Sequence, residues 1–176
     1  WYVRRTFALT SDTAVVWCMG SNAKIGGVDA EEVEEGEGST FKTVRQLVGT
    51  KIVESSHPYG NGQDETTTVR FNLADEYDMR FDPACRSEAG MDYLEVTAVA
   101  PTAGTDRFTH KYSGQDGSWP CNEAIRVPGT AVKLHWHTDA AGVDWGYKVT
   151  IRGYRTLQLA LVQPASWLED LLRTVC

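Results

Sequence analysis

Short runs in which apolar and polar residues alternate at every second position, each closed by a turn signal, dominate this sequence and narrow the folds open to a chain of 176 residues. Val69, Phe71 and Leu73 fall on one face of such a run, with Thr68, Arg70 and Asn72 on the other. Met79 and Phe81 alternate with Arg80 and Asp82, and the pattern restarts at Tyr93, Leu94 and Val96. A period of two places successive side chains on opposite faces of a strand. Turn chemistry separates the runs: Ser11-Asp12, then Pro58 with Gly60 and Gly62, then Pro128-Gly129. Roughly ten short strands divided this way predict an all-β protein, an antiparallel β-sandwich.

In order, residues 1–20 read as two strands, the second ending in the apolar run Val15 to Cys18. From Gly20 the character changes. Gly26-Gly27, six acids between Asp29 and Glu37, and Gly36-Glu37-Gly38-Ser39 cannot build a core, so about 20–40 is expected to be a flexible insertion. Phe41 to Glu54 offers Val44, Leu47, Val48, Ile52 and Val53 for burial. Strands are expected over Thr66–Leu73, Tyr77–Asp82, Asp92–Val99, Phe108–Tyr112 and Cys121–Val127. Ala131–His137 and Gly146–Ile151 read as a hairpin, followed by a strand over Tyr154–Val162. Only the C-terminus reads as helix: Ser166 to Glu169 fits a capping box, and Trp167, Leu168, Leu171, Leu172 and Val175 recur at helical spacing. The expected organisation is therefore 1–50 (strands plus acidic insertion), a sandwich over 51–163, and a short amphipathic helix over 164–176.

Composition restricts the chemistry. The net charge of -7 resides largely in the Asp29–Glu37 run, leaving the remainder close to neutral, without the basic footprint a nucleic acid requires. No apolar run approaches a membrane span, and no Lys/Arg cluster suggests a lipid surface. The chain starts at Trp1 with no recognisable signal peptide, as expected for part of a larger protein. Cys18, Cys85, Cys121 and Cys176 are widely spaced, and no Asn-x-Ser/Thr sequon occurs, which leans toward a reducing compartment.

Two stretches carry candidate chemistry. Asp82, Glu88 and Asp92 lie in the loop between two strands, and Asp139 and Asp144 lie in the turn after Ala131–His137. Carboxylates gathered in loops can surround a hard cation such as calcium, or can simply be solvated. His135 and His137 flank Trp136, so on a strand both imidazoles share a face and could share zinc. No third ligand stands at a recognisable spacing, and the pair reads as a polar strand face. Trp119 and Trp145 sit in loops beside Gly, Ser or Asp, where aromatic residues serve either as binding contacts or as caps on a sandwich end. Tyr59 occupies the turn after Pro58 and joins them as a candidate contact. No Gly-x-Ser-x-Gly, phosphate loop or dinucleotide motif is present, and no enzyme is expected.

Residues 54–152 resemble a CUB domain. Glu54-Ser-Ser-His-Pro-Tyr59 is similar to the family's opening turn, and Phe81-Asp82 with Glu88 and Asp92-Tyr93-Leu94-Glu95-Val96 to its central strand–loop–strand. Val132–Ile151, with Thr138-Asp139 and Gly146-Tyr147, resembles its closing segment. The likeness is greatest to the CUB-like modules of giant intracellular ubiquitin ligases and ZZ-finger proteins. It implies a jelly-roll sandwich that binds protein partners, or the rest of its parent chain, inside the cell. In calcium-binding CUB domains a Glu and an Asp of the central loop and an Asp of the closing turn hold the ion, which implies Glu88, Asp92 and Asp139 here, with Asp82 able to replace Glu88. The usual paired disulfides are not reproduced. A secreted, calcium-dependent adhesion or carbohydrate-binding domain is the alternative, and a Cys85–Cys121 bridge would favour it.

Overall fold

The computed structural model describes residues 30–32, 41–100, 108–115 and 117–160. The strands expected before Gly20, most of the acidic insertion and the helix expected over 164–176 lie outside the described residues. The chain divides into two compact units, one formed by residues 1–46 with 156–176 and the other by Leu47–Arg155. In the first, Ala30–Glu32 (β1) pairs antiparallel with Val44–Gln46, part of the long strand Phe41–Glu54 (β2). These three residues fall within the expected insertion of about 20–40.

The second unit contains two antiparallel sheets. In one, the strand order runs β2, β9 (Lys148–Ala160, of which Lys148–Arg155 lie in this unit), β4 (Glu76–Phe81) and β7 (Ile125–Pro128). The other has the order β3 (Asp64–Val69), β8 (Ala131–His137), β5 (Tyr93–Val99) and β6 (Thr109–Tyr112). Alternation decides which faces meet. Tyr77, Met79 and Phe81 of β4 and Val149 and Ile151 of β9 are buried from one side; Leu94 and Val96 of β5 and Val132, Leu134 and Trp136 of β8 are buried from the other. They form one core, and the Phe81 ring reaches Tyr112 of the opposite sheet at 5.0 Å. The fold is the all-β, two-sheet arrangement that the period of two implies.

Phe71 sets a local constraint. Its ring lies over the backbone of Gly49 in β2 and Gly153 in β9, where a Cβ on either glycine would overlap it. The same ring stacks with Tyr77 at 6.1 Å.

Several expected features differ. Ala131–His137 and the strand after Gly146 do not form a hairpin: β8 and β9 belong to different sheets, and residues 138–147 cross between them. Alternation records which face is buried, and it is the same for a hairpin and for a crossing. The strands expected over Gly146–Ile151 and Tyr154–Val162 merge into the single β9. The strand expected to reach Leu73 ends at Val69; Leu73 lies in a turn at φ 69° and is exposed, as is Ile52.

Leu94→Ala should cost about 2–5 kcal/mol by emptying a fully enclosed site, while Ile52→Ala should stay within about 0.5 kcal/mol, both read from urea midpoints. Gly153→Ala should cost about 1–3 kcal/mol by overpacking against the Phe71 ring, and the smaller side chain of Phe71→Leu in the same chain should recover part of that loss.

Candidate metal centre

Three loops meet at one end of the sandwich, and a buried carboxylate joins them. Asp92, just before β5, is fully buried. A carboxylate withdrawn from water needs donors in its place. The Tyr59 hydroxyl donates to Oδ2 at 2.6 Å, and the Asp139 backbone N–H donates to Oδ1 at 2.8 Å. Tyr59 comes from the turn after Pro58 and Asp139 from the crossing after β8. β5 and β8 are neighbours with Tyr93 opposite His137, so the pairing register itself brings Asp92 and Asp139 together.

The loop before β5 is tied down by its own backbone. The Asp92 N–H donates to the Glu88 carbonyl at 3.2 Å, and the Ser87 hydroxyl donates to the Asp92 carbonyl at 2.9 Å. The Glu88 N–H donates to the Tyr59 oxygen at 3.0 Å, so this one phenol accepts from Glu88 and donates to Asp92. Burial, together with the hydrogen bond to Asp92, pushes the Tyr59 phenol well above the ordinary tyrosine range and keeps its proton in place as a donor. The Glu88 carboxylate rests against the backbone of Gly142, which has φ +79° and where a Cβ would overlap Oε2. Asp139 Oδ1 accepts from the Ala141 N–H at 2.9 Å, shaping the start of the crossing loop.

One carboxylate oxygen each from Glu88, Asp92 and Asp139 therefore lies within 4.8 Å of the other two, with Glu88 exposed, Asp139 half-buried and Asp92 enclosed. No ion pair among the described residues reaches any of the three. The donor set is all oxygen, which suits a hard cation, with backbone carbonyls or water completing the shell. Asp82, the alternative to Glu88, instead accepts from the Ala84 N–H at 2.9 Å and caps its own turn.

The three candidate contact aromatics separate. Tyr59 is 2% exposed, so it supports Asp92 and does not offer a free face. Trp119 is also buried, donating from Nε1 to the Gly114 carbonyl at 3.0 Å and packing against Phe81 and Tyr112. It is part of the core; a Trp in a Gly/Ser-rich loop carries no sequence mark of the pocket it fills. Trp145 is half-buried and stacks on His57 at 3.8 Å, beside the Arg86–Asp144 ion pair of 2.7 Å. The supporting role of Tyr59 was not legible beforehand, because its partner lies 33 residues away.

Cys85 and Cys121 carry thiols and form no disulfide. They donate to the backbone carbonyls of Lys148 and Asp82 at 3.4 and 3.2 Å. Burial pushes the Cys85 thiol up to about 11 and the Tyr112 and Tyr147 phenols up to about 12. Each raised group keeps its proton in the folded chain at a pH where the unfolded chain has released it. Its contribution is complete below the ordinary thiol and phenol ranges and is lost as pH rises.

Stability should therefore fall as pH is taken from about 9 to 12, measured as a declining urea midpoint. Tyr59→Phe should cost about 1–3 kcal/mol by leaving Asp92 short of a donor, with a normal β-rich circular dichroism spectrum at neutral pH.

No family model matches the chain. The E3 ubiquitin-protein ligase HERC2 of Mus musculus is 29% identical over 126 residues, covering 71% of this chain and 2% of that protein. The zinc finger ZZ-type and EF-hand domain-containing protein 1 of Mus musculus is 30% identical over 147 residues, covering 83% and 4%. Its Homo sapiens counterpart is 26% identical over 147 residues, covering 84% and 5%. The chain is thus similar to short regions of much longer multidomain proteins and spans only a few per cent of the length of these curated relatives.

Proposed function

We propose that this chain is a CUB-like, non-catalytic protein-interaction module of a larger intracellular protein, of the ubiquitin-ligase or scaffold kind, with an acidic loop end that takes calcium. The observation that carries this reading is the meeting of Glu88, Asp92 and Asp139 on a base fixed by Tyr59. The resemblance to CUB domains associates these same three positions with the family's ion. Three close carboxylates repel one another unless a cation or hydrogen-bond donors compensate them; donors reach Asp92 and Asp139, and an ion seated there would further order Glu88 and the Asp139 loop as a contact surface.

The non-catalytic part is supported by the Cys85 thiol, which burial holds in its unreactive protonated form at neutral pH. An intracellular setting is supported by that thiol and by similarity to a protein named as a ubiquitin ligase. The binding partner is a protein or another part of the parent chain, with no role for nucleic acid or membrane.

Millimolar-order calcium should raise the melting temperature of the chain relative to chelator, and Glu88→Gln with Asp139→Asn should abolish the increment without lowering the calcium-free value. Affinity capture by wild type in calcium should recover proteins that the double variant does not. An unchanged melting temperature together with identical captured sets would overturn the reading.

A further inference from the structure

The outward face of the second sheet carries a separate cluster. In β3, β8 and β5 the outward positions form cross-strand rows: Asp64 opposite His137 opposite Tyr93, and Thr66 opposite His135 opposite Glu95. The register thereby supplies what the His-x-His spacing lacks, a carboxylate from another strand. Asp64 Oδ1 is 2.6 Å from His135 Nε2, and its Oδ2 is 3.9 Å from His137 Nδ1. A ring nitrogen of each histidine thus faces the same carboxylate. The His135 imidazole beside Asp64 holds that carboxyl below its usual range.

We propose that His135, His137 and Asp64 form a second cation site, selective for a borderline divalent transition metal of the zinc class. Two imidazoles on a tetrahedral zinc, at Zn–N distances of ~2.0–2.1 Å, have ring centres about 5 Å apart. Here the centres are 6.4 Å apart, so both side chains must turn toward each other to bring a nitrogen of each onto one ion. The side chains of His135, His137 and Asp64 are 27%, 35% and 70% exposed, leaving them room to move and an open path for water as a further ligand. One wall is already set: Tyr93 stacks on His137 at 5.1 Å, and Lys111 lies over the Tyr93 ring at 3.9 Å while pairing with Glu95 at 3.5 Å. To bind the metal, His135 Nε2 must carry no proton; a proton held there would move to Nδ1 or to solvent, leaving the Nε2 lone pair for the ion. Two nitrogens and one oxygen favour zinc, copper or nickel over calcium, the reverse of the all-oxygen set at Glu88, Asp92 and Asp139.

The test is calorimetric titration of zinc chloride into the full chain, reduced with a non-chelating phosphine, in wild type, His135→Gln/His137→Gln, Asp64→Asn and Asp92→Asn. The expected result is one tighter zinc event that weakens about tenfold or more in the histidine and Asp64 variants, is unchanged in Asp92→Asn, and is not competed by millimolar-order calcium. Asp64→Asn keeps the test open if the double histidine variant fails to fold, because that side chain is mostly in water. Equal zinc affinity in wild type and Asp64→Asn, absence of zinc binding, or displacement of zinc by calcium would overturn the proposal.

Discussion

The loop end of this protein depends on one buried carboxylate. Asp92 is fully buried, and the Tyr59 hydroxyl and the Asp139 N–H stand in for the hydration it gave up. Each belongs to a different loop, and satisfying Asp92 therefore fixes all three loops together. Without donors the cost of an enclosed charge would be several kcal/mol, more than a loop of small and polar residues could offset. The exposed Glu88 and half-buried Asp139 consequently stand on a preset base.

The same end illustrates how register converts sequence into a site. Asp92 and Asp139 lie 47 residues apart, yet each stands next to a strand whose pairing is dictated by buried alternate residues. Leu94, Val96, Leu134 and Trp136 must face inward. A slip by one residue would turn all four into water. Core patterning thus holds the carboxylates together. On the outer face, the same register that buries Trp136 places His135 and His137 toward solvent and Asp64 against them.

Much of the strand layout was legible because period-two alternation reports burial directly. Met79, Phe81, Leu94 and Val96 were readable as inward residues for that reason. Sheet membership was not: β8 and β9 carry the pattern of a hairpin yet lie in opposite sheets, since alternation contains no information about the partner strand. Trp119 was misplaced by its polar neighbours, which describe the loop and not the pocket beneath it. The acidic triad could be named through the family resemblance, while Tyr59, its main support, could not be given that role. Asp64 escaped notice as a neighbour of the two histidines because their meeting depends on strand order, a long-range property.

The two polar clusters are best understood through what compensates their charge. At the loop end, the Tyr59 hydroxyl and the Asp139 N–H satisfy Asp92, the Ala141 N–H donates to Asp139, and neither Glu88 nor Asp139 has a cationic side chain paired with it among the described residues. On the sheet face, Asp64 already has imidazole partners, and Glu95 has Lys111. The proposed calcium reading of the first cluster rests on oxygen donors without a cationic partner, and the proposed zinc reading of the second on two imidazole nitrogens beside one carboxylate. The calcium and zinc proposals therefore rest on different chemistry, oxygen donors alone at one cluster and nitrogen with oxygen at the other.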